Sequence, residues 1–184
     1  MSRTLRNPKR NVRLFTLTDD LAHQKGVQAV AIKADVSRDA EAKRLVAESF
    51  QALGRIDTLV TCAGWTRRTL HHNLEEADEE TWDKTWSVNV KGAFFCARAV
   101  IPEMQRIGGG AIINATSIGA FTGQGSSIPY CASKAAMTSV TKTLARAFAP
   151  TIRANAIAPG LVGSCGLARG HCLGKEGLST PPNR

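Results

Sequence analysis

The feature that most constrains the fold of this chain is a repeated alternation of short apolar runs with segments of helical periodicity. The apolar runs lie at residues 27–32, 56–61, 111–115 and 152–158. Between them, apolar side chains recur at spacings of three and four, which is typical of amphipathic helices. Apolar strands that alternate with helices form a parallel sheet covered by helices on both faces. The sequence therefore predicts a doubly wound α/β fold.

Capping residues predict where these helices begin and end. Ser37 is a predicted N-cap and Gly54 the matching C-cap of the first complete helix. Ser127 is predicted to cap a helix that tolerates Pro129 in its first turn and runs to about Phe148.

An acidic run precedes the helical segment at residues 91–107. Its members are Glu75, Glu76, Asp78, Glu79, Glu80 and Asp83. Carboxylates are favourable in the first turn of a helix, where they meet the positive end of its dipole. We interpret the run as a solvated helix start rather than a metal site.

Tyr130, the only tyrosine of the chain, stands four residues before Lys134 on a predicted helix. This spacing places the two side chains on one face, about one turn apart. A free phenol has a pKa of about 10. A neighbouring ammonium favours the phenolate, which makes a better general acid/base at neutral pH. Ser117, which follows the run at 111–115, supplies a hydroxyl for a substrate oxygen. A packed tyrosine and a solvated lysine are the alternative, because so short a motif often occurs without function.

The positions after the four apolar runs favour the catalytic interpretation. Asp35, Cys62–Gly64, Ser117 and Pro159–Gly160 all follow predicted strands. Ligands of open α/β sheets bind outside the carboxyl ends of the strands. We therefore expect these four positions to converge on one edge of the sheet.

Six motifs in a fixed order carry a family resemblance. They are Ala34-Asp35-Val36, Cys62-Ala63-Gly64, Val88-Asn89-Val90, Ser117, Tyr130-Cys131-Ala132-Ser133-Lys134 and Asn155-Ala156-Ile157-Ala158-Pro159-Gly160. With this order and spacing, the chain resembles the short-chain dehydrogenase/reductase family from about residue 27 to 164. The sequences of the strands are similar to those of bacterial reductases of the 3-oxoacyl-carrier-protein and sugar/alcohol dehydrogenase type. The resemblance implies a Rossmann-like domain.

The resemblance also implies a role for each matched residue. Tyr130 would be the general acid/base, and Lys134 would bind the nicotinamide ribose. Ser117 would orient the substrate carbonyl, and Asn89 would hold a water in a proton relay. The cofactor, NAD or NADP, would be contacted by Asp35, Val36, Cys62, Ala63, Gly64, Tyr130, Lys134, Pro159, Gly160, Val162 and Ser164.

The chain departs from the family pattern at both ends. The family's T-G-x-x-x-G-x-G loop brings backbone amides to the pyrophosphate, but the only glycine before Asp35 is Gly26. We expect an irregular basic segment at residues 1–26, an incomplete domain at 27–164 that lacks the first strand and the C-terminal helix and strand, and a disordered tail at 165–184. In the tail, Cys165, His171 and Cys172 are not predicted to bind a metal, because a supported fourth ligand is missing. Thr61 and Cys62 also replace asparagines of the usual N-N-A-G.

Composition limits the remaining function classes. The 184 residues suit one domain, and no apolar run reaches the ~18 residues of a membrane span. Five cysteines without a C-x-x-C pair predict a reduced, cytoplasmic protein. Part of the net charge of +9 is concentrated in residues 1–13, which contain five cations and no acid. A nucleic-acid-binding arm, an organellar presequence and a disordered start are the alternatives, and the lack of interleaved aromatic residues disfavours nucleic acid.

Two functional hypotheses follow. The first is a nicotinamide-dependent oxidoreductase that transfers hydride between its cofactor and a small carbonyl compound or secondary alcohol. The second is a truncated, inactive fragment with at most a partner-binding role. The family resemblance further predicts a homo-oligomer formed through the helices around 78–107 and 128–148.

Overall fold

The computed structural model describes residues 25–161. Three strands are present in this range, β1 (Thr58–Thr61), β2 (Gly110–Ala115) and β3 (Ile152–Ile157). The α-helices are α1 (Asp39–Leu53), α2 (Glu79–Trp86), α3 (Ala93–Arg106), α4 (Gly119–Thr122) and α5 (Ile128–Phe148). A 3₁₀ turn occupies Leu74–Glu76, and a π-helical segment at Ser87–Gly92 joins α2 to α3. Predictions made for residues 1–24 and 162–184, including Val162, Ser164 and the tail, lie outside the described residues.

The strands form a parallel sheet in the order β1-β2-β3. Leu59 pairs with Ile112, and Ile112 pairs with Ala154, so one row across the sheet joins the partly buried Leu59 to two buried residues. The predicted α/β fold with a parallel sheet is confirmed, and its strands begin and end close to the predicted runs.

The hydrophobic core lies between this sheet and helices α3 and α5. Val100 and Met104 of α3 pack with Ile112, Leu144 and Ile152, and each of these side chains is buried. Burying a large aliphatic side chain contributes about 1.5–3 kcal/mol. Because the three strands that pack on this core are parallel, their carboxyl ends lie at the same edge of the sheet.

The opposite face of the sheet is open within residues 25–161. Val60 is 51% exposed and Ile157 is 50% exposed, although both are apolar and lie in strands. α3 and α5 pack on the buried face, and α1 packs on α3. The predicted cover on both faces is therefore not present in the described part of the chain.

The predicted strand at residues 27–32 is wrong for the described structure, because this segment is extended but pairs with no strand there. It is held along α1 instead. Gln28 Nε2 donates to the Ala52 carbonyl (2.9 Å), and Arg44 Nη2 donates to the Lys33 carbonyl (2.6 Å). An apolar run becomes a strand only where a neighbouring strand offers a hydrogen-bonding edge.

The capping predictions divide into two confirmed and one wrong. Gly54 ends α1 with a φ of 79°, and Ser127 caps α5 by accepting from the Tyr130 amide (3.3 Å). Ser37 does not cap α1. Its amide and hydroxyl both donate to the Asp35 carboxylate (3.1 and 2.7 Å), and the helix begins at Asp39 without a side-chain cap.

Candidate active site

A cavity of about 340 Å³ opens at the carboxyl ends of the three strands. Its size lies in the range of small-molecule sites, roughly 300–1,000 Å³. It is lined by Cys62, Gly64, Trp65, Thr66, Ala115, Thr116, Ser117, Tyr130, Lys134, Pro159 and Gly160. The ends of β1, β2 and β3 thus converge as predicted.

Tyr130 and Lys134 enter this cavity from the first turns of α5. The helix begins at Ile128 with Pro129 in its first turn, so the spacing of four residues places both side chains on one face. The Lys134 Nζ atom lies 5.6 Å from the centre of the Tyr130 ring. The packed-tyrosine alternative with a solvated lysine does not fit, because Lys134 is only 5% exposed.

Lys134 is a buried cation with few protein partners. Its Nζ atom donates to the Ala115 carbonyl at 2.7 Å and lies 3.7 Å from Met137 Sδ. Burial lowers the pKa of Lys134, and the electrostatic effect of the nearby Cys62 thiol opposes this shift. An ammonium group has three donors, so donor capacity is left for a ligand in the cavity.

Ser117 stands directly after β2, in a turn that is tied to the end of β3. Its Oγ atom accepts from the Gly119 amide at 3.1 Å, which leaves the hydroxyl hydrogen free to donate. The Ile118 amide donates to the Pro159 carbonyl at 3.0 Å. The hydroxyl and the Pro159–Gly160 backbone are therefore held on adjacent walls of the cavity.

Asn89 lies in the π-helical segment and is fully buried. Its side-chain amide accepts from the Trp65 amide (2.7 Å) and donates to the Trp65 carbonyl (3.0 Å). It also donates to Ser133 Oγ at 2.9 Å. Asn89 thus joins the loop after β1 to α5, and such π-helical insertions are frequent at functional sites.

A buried polar chain supports the site and was not found from the sequence. Thr61 Oγ1 donates to Asn114 Oδ1 (2.6 Å), and Asn114 Nδ2 donates to Thr141 Oγ1 (2.8 Å). Thr141 in turn donates to the Met137 carbonyl (2.7 Å). Thr61 and Asn114 immediately precede Cys62 and Ala115 in the cavity wall. The available signal was a polar residue at a buried position of an otherwise apolar strand.

The structure does not bring Asp35 and Val36 into the cavity. Asp35 is exposed and its carboxylate binds Ser37. Val36 contacts the π-helical segment instead, where a Cβ added to Gly92 would lie 2.9 Å from Val36 Cγ2. Ala63 is exposed and does not line the cavity. The segment around Asp35 joins no strand of the sheet in the described range, and the predicted cofactor contacts of Asp35 and Val36 stay predictions.

The residues of this cavity fit one half of a nicotinamide dinucleotide. An ammonium, a phenol and a hydroxyl line the cavity together, and such groups can hydrogen-bond the hydroxyls of a ribose and a carbonyl oxygen. The first turns of α1 and α2 carry Asp39, Glu41, Glu79 and Glu80. Carboxylates repel phosphate at a helix N-terminus, and Asp78 already accepts from the Thr81 amide, so the start of α2 does not fit the pyrophosphate. The α1 carboxylates are paired with Lys43, Arg44 and Arg98.

Two general properties complete the description of residues 25–161. No helix in this range is both long and apolar enough to cross a bilayer. No group of three metal-binding side chains is present in the same range.

Comparison with known proteins gives a consistent family. The short chain dehydrogenase model matches residues 7–169. A 3-oxoacyl-(acyl-carrier-protein) reductase of Staphylococcus epidermidis is 40% identical over 139 residues, covering 75% of this chain and 56% of that protein. Human dehydrogenase/reductase SDR family member 4 is 38% identical over 138 residues, covering 74% and 49%.

The fold is also similar to solved structures. A crystal structure described as a short-chain dehydrogenase/reductase from Burkholderia xenovorans has a TM-score of 0.82 and 33% identity, covering 88% of this chain and 66% of that one. The chain spans about half the length of the curated relatives that it matches.

Proposed function

Because the chain belongs to the short-chain dehydrogenase/reductase family, we propose that it is an oxidoreductase acting on a carbonyl compound or secondary alcohol with NAD or NADP. The observation that supports this proposal most is the meeting of Ser117, Tyr130 and Lys134 in one cavity. A 3-oxoacyl compound is the proposed substrate class, since several relatives carry that name.

In the proposed reaction, Tyr130 and Ser117 both act on the substrate oxygen. Tyr130 gives its hydroxyl proton to the carbonyl oxygen during reduction and takes it back during oxidation. Ser117 donates a hydrogen bond to the same oxygen, because its hydroxyl hydrogen is free while its oxygen accepts from the Gly119 amide. The nicotinamide, when bound, supplies or accepts the hydride.

Lys134 has two proposed tasks. Its charge stabilises the negative charge that develops on the Tyr130 oxygen, and burial strengthens this interaction because water screens it less. Its remaining donors bind ribose hydroxyls. Asn89 holds the loop after β1, and the family resemblance adds a water in a proton relay to this role.

An inactive family member with at most a partner-binding role is the second candidate function. The first turn of α2 favours it, because Glu79 and Glu80 repel phosphate and Asp78 already accepts from the Thr81 amide. One assay separates the two candidates.

The purified chain is incubated with a 3-oxo ester and either NADH or NADPH, and oxidation of the nucleotide is followed by absorbance. We expect reduction by the wild type and a loss of about 100-fold or more in Tyr130→Phe, since general acid catalysis contributes about 10²–10⁴-fold. An unchanged melting temperature of Tyr130→Phe is the control for folding. A wild type that oxidises neither nucleotide supports the inactive candidate, and full activity in Tyr130→Phe contradicts the proposed role of the phenol.

A further inference from the structure

Two loops are joined to each other beside the cavity. The first loop follows β1 and comprises residues 65–73, and the second loop precedes α5 and comprises residues 123–127. Thr66, which lines the cavity, places its Oγ1 atom 2.6 Å from Ser126 Oγ. This distance is that of a hydrogen bond between two hydroxyls. The two loops therefore form one continuous wall beside the site.

Two further hydrogen bonds join the same loops. The Thr69 amide donates to the Ser126 carbonyl at 3.0 Å. His71 Nε2 lies 3.1 Å from the Gly125 carbonyl oxygen. Because a carbonyl oxygen only accepts, Nε2 of His71 carries the hydrogen and donates it. The carbonyl of Gly125 is thus held by a side chain that is distant in sequence.

The first loop is itself fixed on both sides of the residues that hold the second. Asn89 binds both the amide and the carbonyl of Trp65 at 2.7 and 3.0 Å. The Leu70 amide donates to the Glu76 carboxylate at 3.0 Å. The first loop can therefore act as a support for the second.

The second loop lies directly against the proposed general acid. A Cβ added to Gly125 would lie 3.2 Å from Tyr130 Cδ1 and 2.7 Å from Cys131 Sγ. Cys131 is buried, and its Sγ atom lies 3.3 Å from the position of a Cβ added to Gly119. The sulfur is thus enclosed from two sides. The glycine at position 125 allows the backbone to approach the ring of Tyr130 this closely.

We propose that His71 and Gly125 are positioning residues for Tyr130. His71 holds the second loop through the Gly125 carbonyl, and this loop holds the phenol ring at its observed place, 5.6 Å from Lys134 Nζ. The inference rests on the proposed function, because it assigns the positioned phenol to proton transfer. Since a displacement of about 1 Å can cost about 100-fold in rate, small movements of this loop are expected to affect turnover.

Alanine at two glycines of the second loop forms a matched pair. A methyl group at position 125 would press on the Tyr130 ring, whereas a Cβ added to Gly123 would meet no atom within 4 Å. Gly125→Ala is expected to lower kcat by about 100-fold with KM largely unchanged. Gly123→Ala, whose φ of 69° makes alanine costly for stability alone, is expected to keep the wild-type kcat.

Two substitutions of His71 separate its hydrogen bond from its presence. His71 is exposed, so both variants are expected to fold even if Gly125→Ala does not. His71→Ala removes the donor and is expected to lower kcat about tenfold, less than a displacement of about 1 Å would cost. His71→Gln keeps an N–H donor on a side chain of similar reach and is expected to restore most of this loss.

A spectroscopic measurement reports the ring without any need for turnover. Tyr130 is the only tyrosine of the chain, so labelling with 3-fluorotyrosine gives a fluorine resonance from this ring alone. The resonance is expected to move in Gly125→Ala and His71→Ala. In Gly123→Ala and His71→Gln it is expected to coincide with that of the wild type.

The outcomes distinguish the inference from the function beneath it. An unchanged resonance in Gly125→Ala and His71→Ala overturns the inference, and so does a moved resonance with the wild-type kcat. An equal loss of kcat in His71→Gln and His71→Ala overturns the role of the hydrogen bond. If the wild type oxidises neither nucleotide, the proposed function fails, and the fluorine resonance still decides whether the two residues hold the ring.

Discussion

The burial of Lys134 changes the properties of its ammonium group. The spacing to Tyr130 predicts a shared helix face, and the structure adds that the ammonium is buried with one strong acceptor, the Ala115 carbonyl. Burying a charge opposes folding unless partners compensate. The buried charge of Lys134 therefore destabilises the folded chain, and a ligand that hydrogen-bonds to the ammonium would reduce this cost.

The same burial predicts a pH dependence of stability. Burial lowers the pKa of Lys134 in the folded chain. At pH values between this lowered pKa and the ordinary lysine pKa of about 10, the unfolded chain therefore binds more protons than the folded chain. The full cost of the buried charge is present below this window and decreases as pH rises through it. Wild type is therefore expected to gain stability relative to Lys134→Met from neutral pH to about 10.

Melting temperatures at a series of pH values measure this gain. Lys142→Met, which removes an exposed charge from the same helix, corrects for the general loss of one positive charge. A difference between wild type and Lys134→Met that is constant with pH would show that burial does not control this titration.

The connection from α3 to β2 contains two glycines in a backbone conformation that other residues rarely adopt. Gly108 has a φ of 90° and Gly109 a φ of 140°, a region that favours glycine at both positions. A Cβ on Gly108 would meet no atom within 4 Å, whereas a Cβ on Gly109 would collide with the Thr151 carbonyl oxygen. The backbone before β3 is thus packed directly against this turn.

Alanine at these two glycines separates backbone strain from steric clash. Gly108→Ala is expected to cost about 1–2 kcal/mol through strain alone. Gly109→Ala is expected to cost about 1–3 kcal/mol more, since backbone must move to admit the methyl group. Urea denaturation of both variants gives the two free energies of unfolding, and equal values would contradict the packing against Thr151.

The outer surface of α2 and α3 exposes aromatic side chains that bear on the oligomeric state of the molecule. Trp82, Trp86 and Phe94 are 38%, 38% and 39% exposed there. Large exposed aromatic side chains are characteristic of protein–protein interfaces. This surface lies in the helices through which the family resemblance predicts self-association, and that oligomer remains a prediction.

Phe94→Asp tests the predicted interface by placing a charge in it. The dissociation constant of the oligomer, measured by sedimentation equilibrium, is expected to rise by about tenfold or more. Phe121→Asp is the matched control, because Phe121 is 67% exposed on α4, outside these helices. A wild-type chain that sediments as a folded monomer contradicts the prediction.

The sequence by itself determined the features that depend on neighbours along the chain. The strands β2 and β3 were predicted nearly to the residue, because buried strands must be apolar. The Ser127 cap and the shared face of Tyr130 and Lys134 were predicted because backbone geometry fixes what lies three or four residues away. The family resemblance likewise depended on the order and spacing of motifs along the chain.

Only the tertiary structure decided the features that join distant segments. Residues 27–32 have a strand's composition and form no strand, because no described strand offers them an edge. Asn89 reaches Trp65 across 24 positions, and Thr61 reaches Asn114 across 53. Such contacts depend on which surfaces pack together, and pattern along the chain carries no information about the partner. The physical reason is that periodicity reports which face is buried, whereas packing alone determines what buries it.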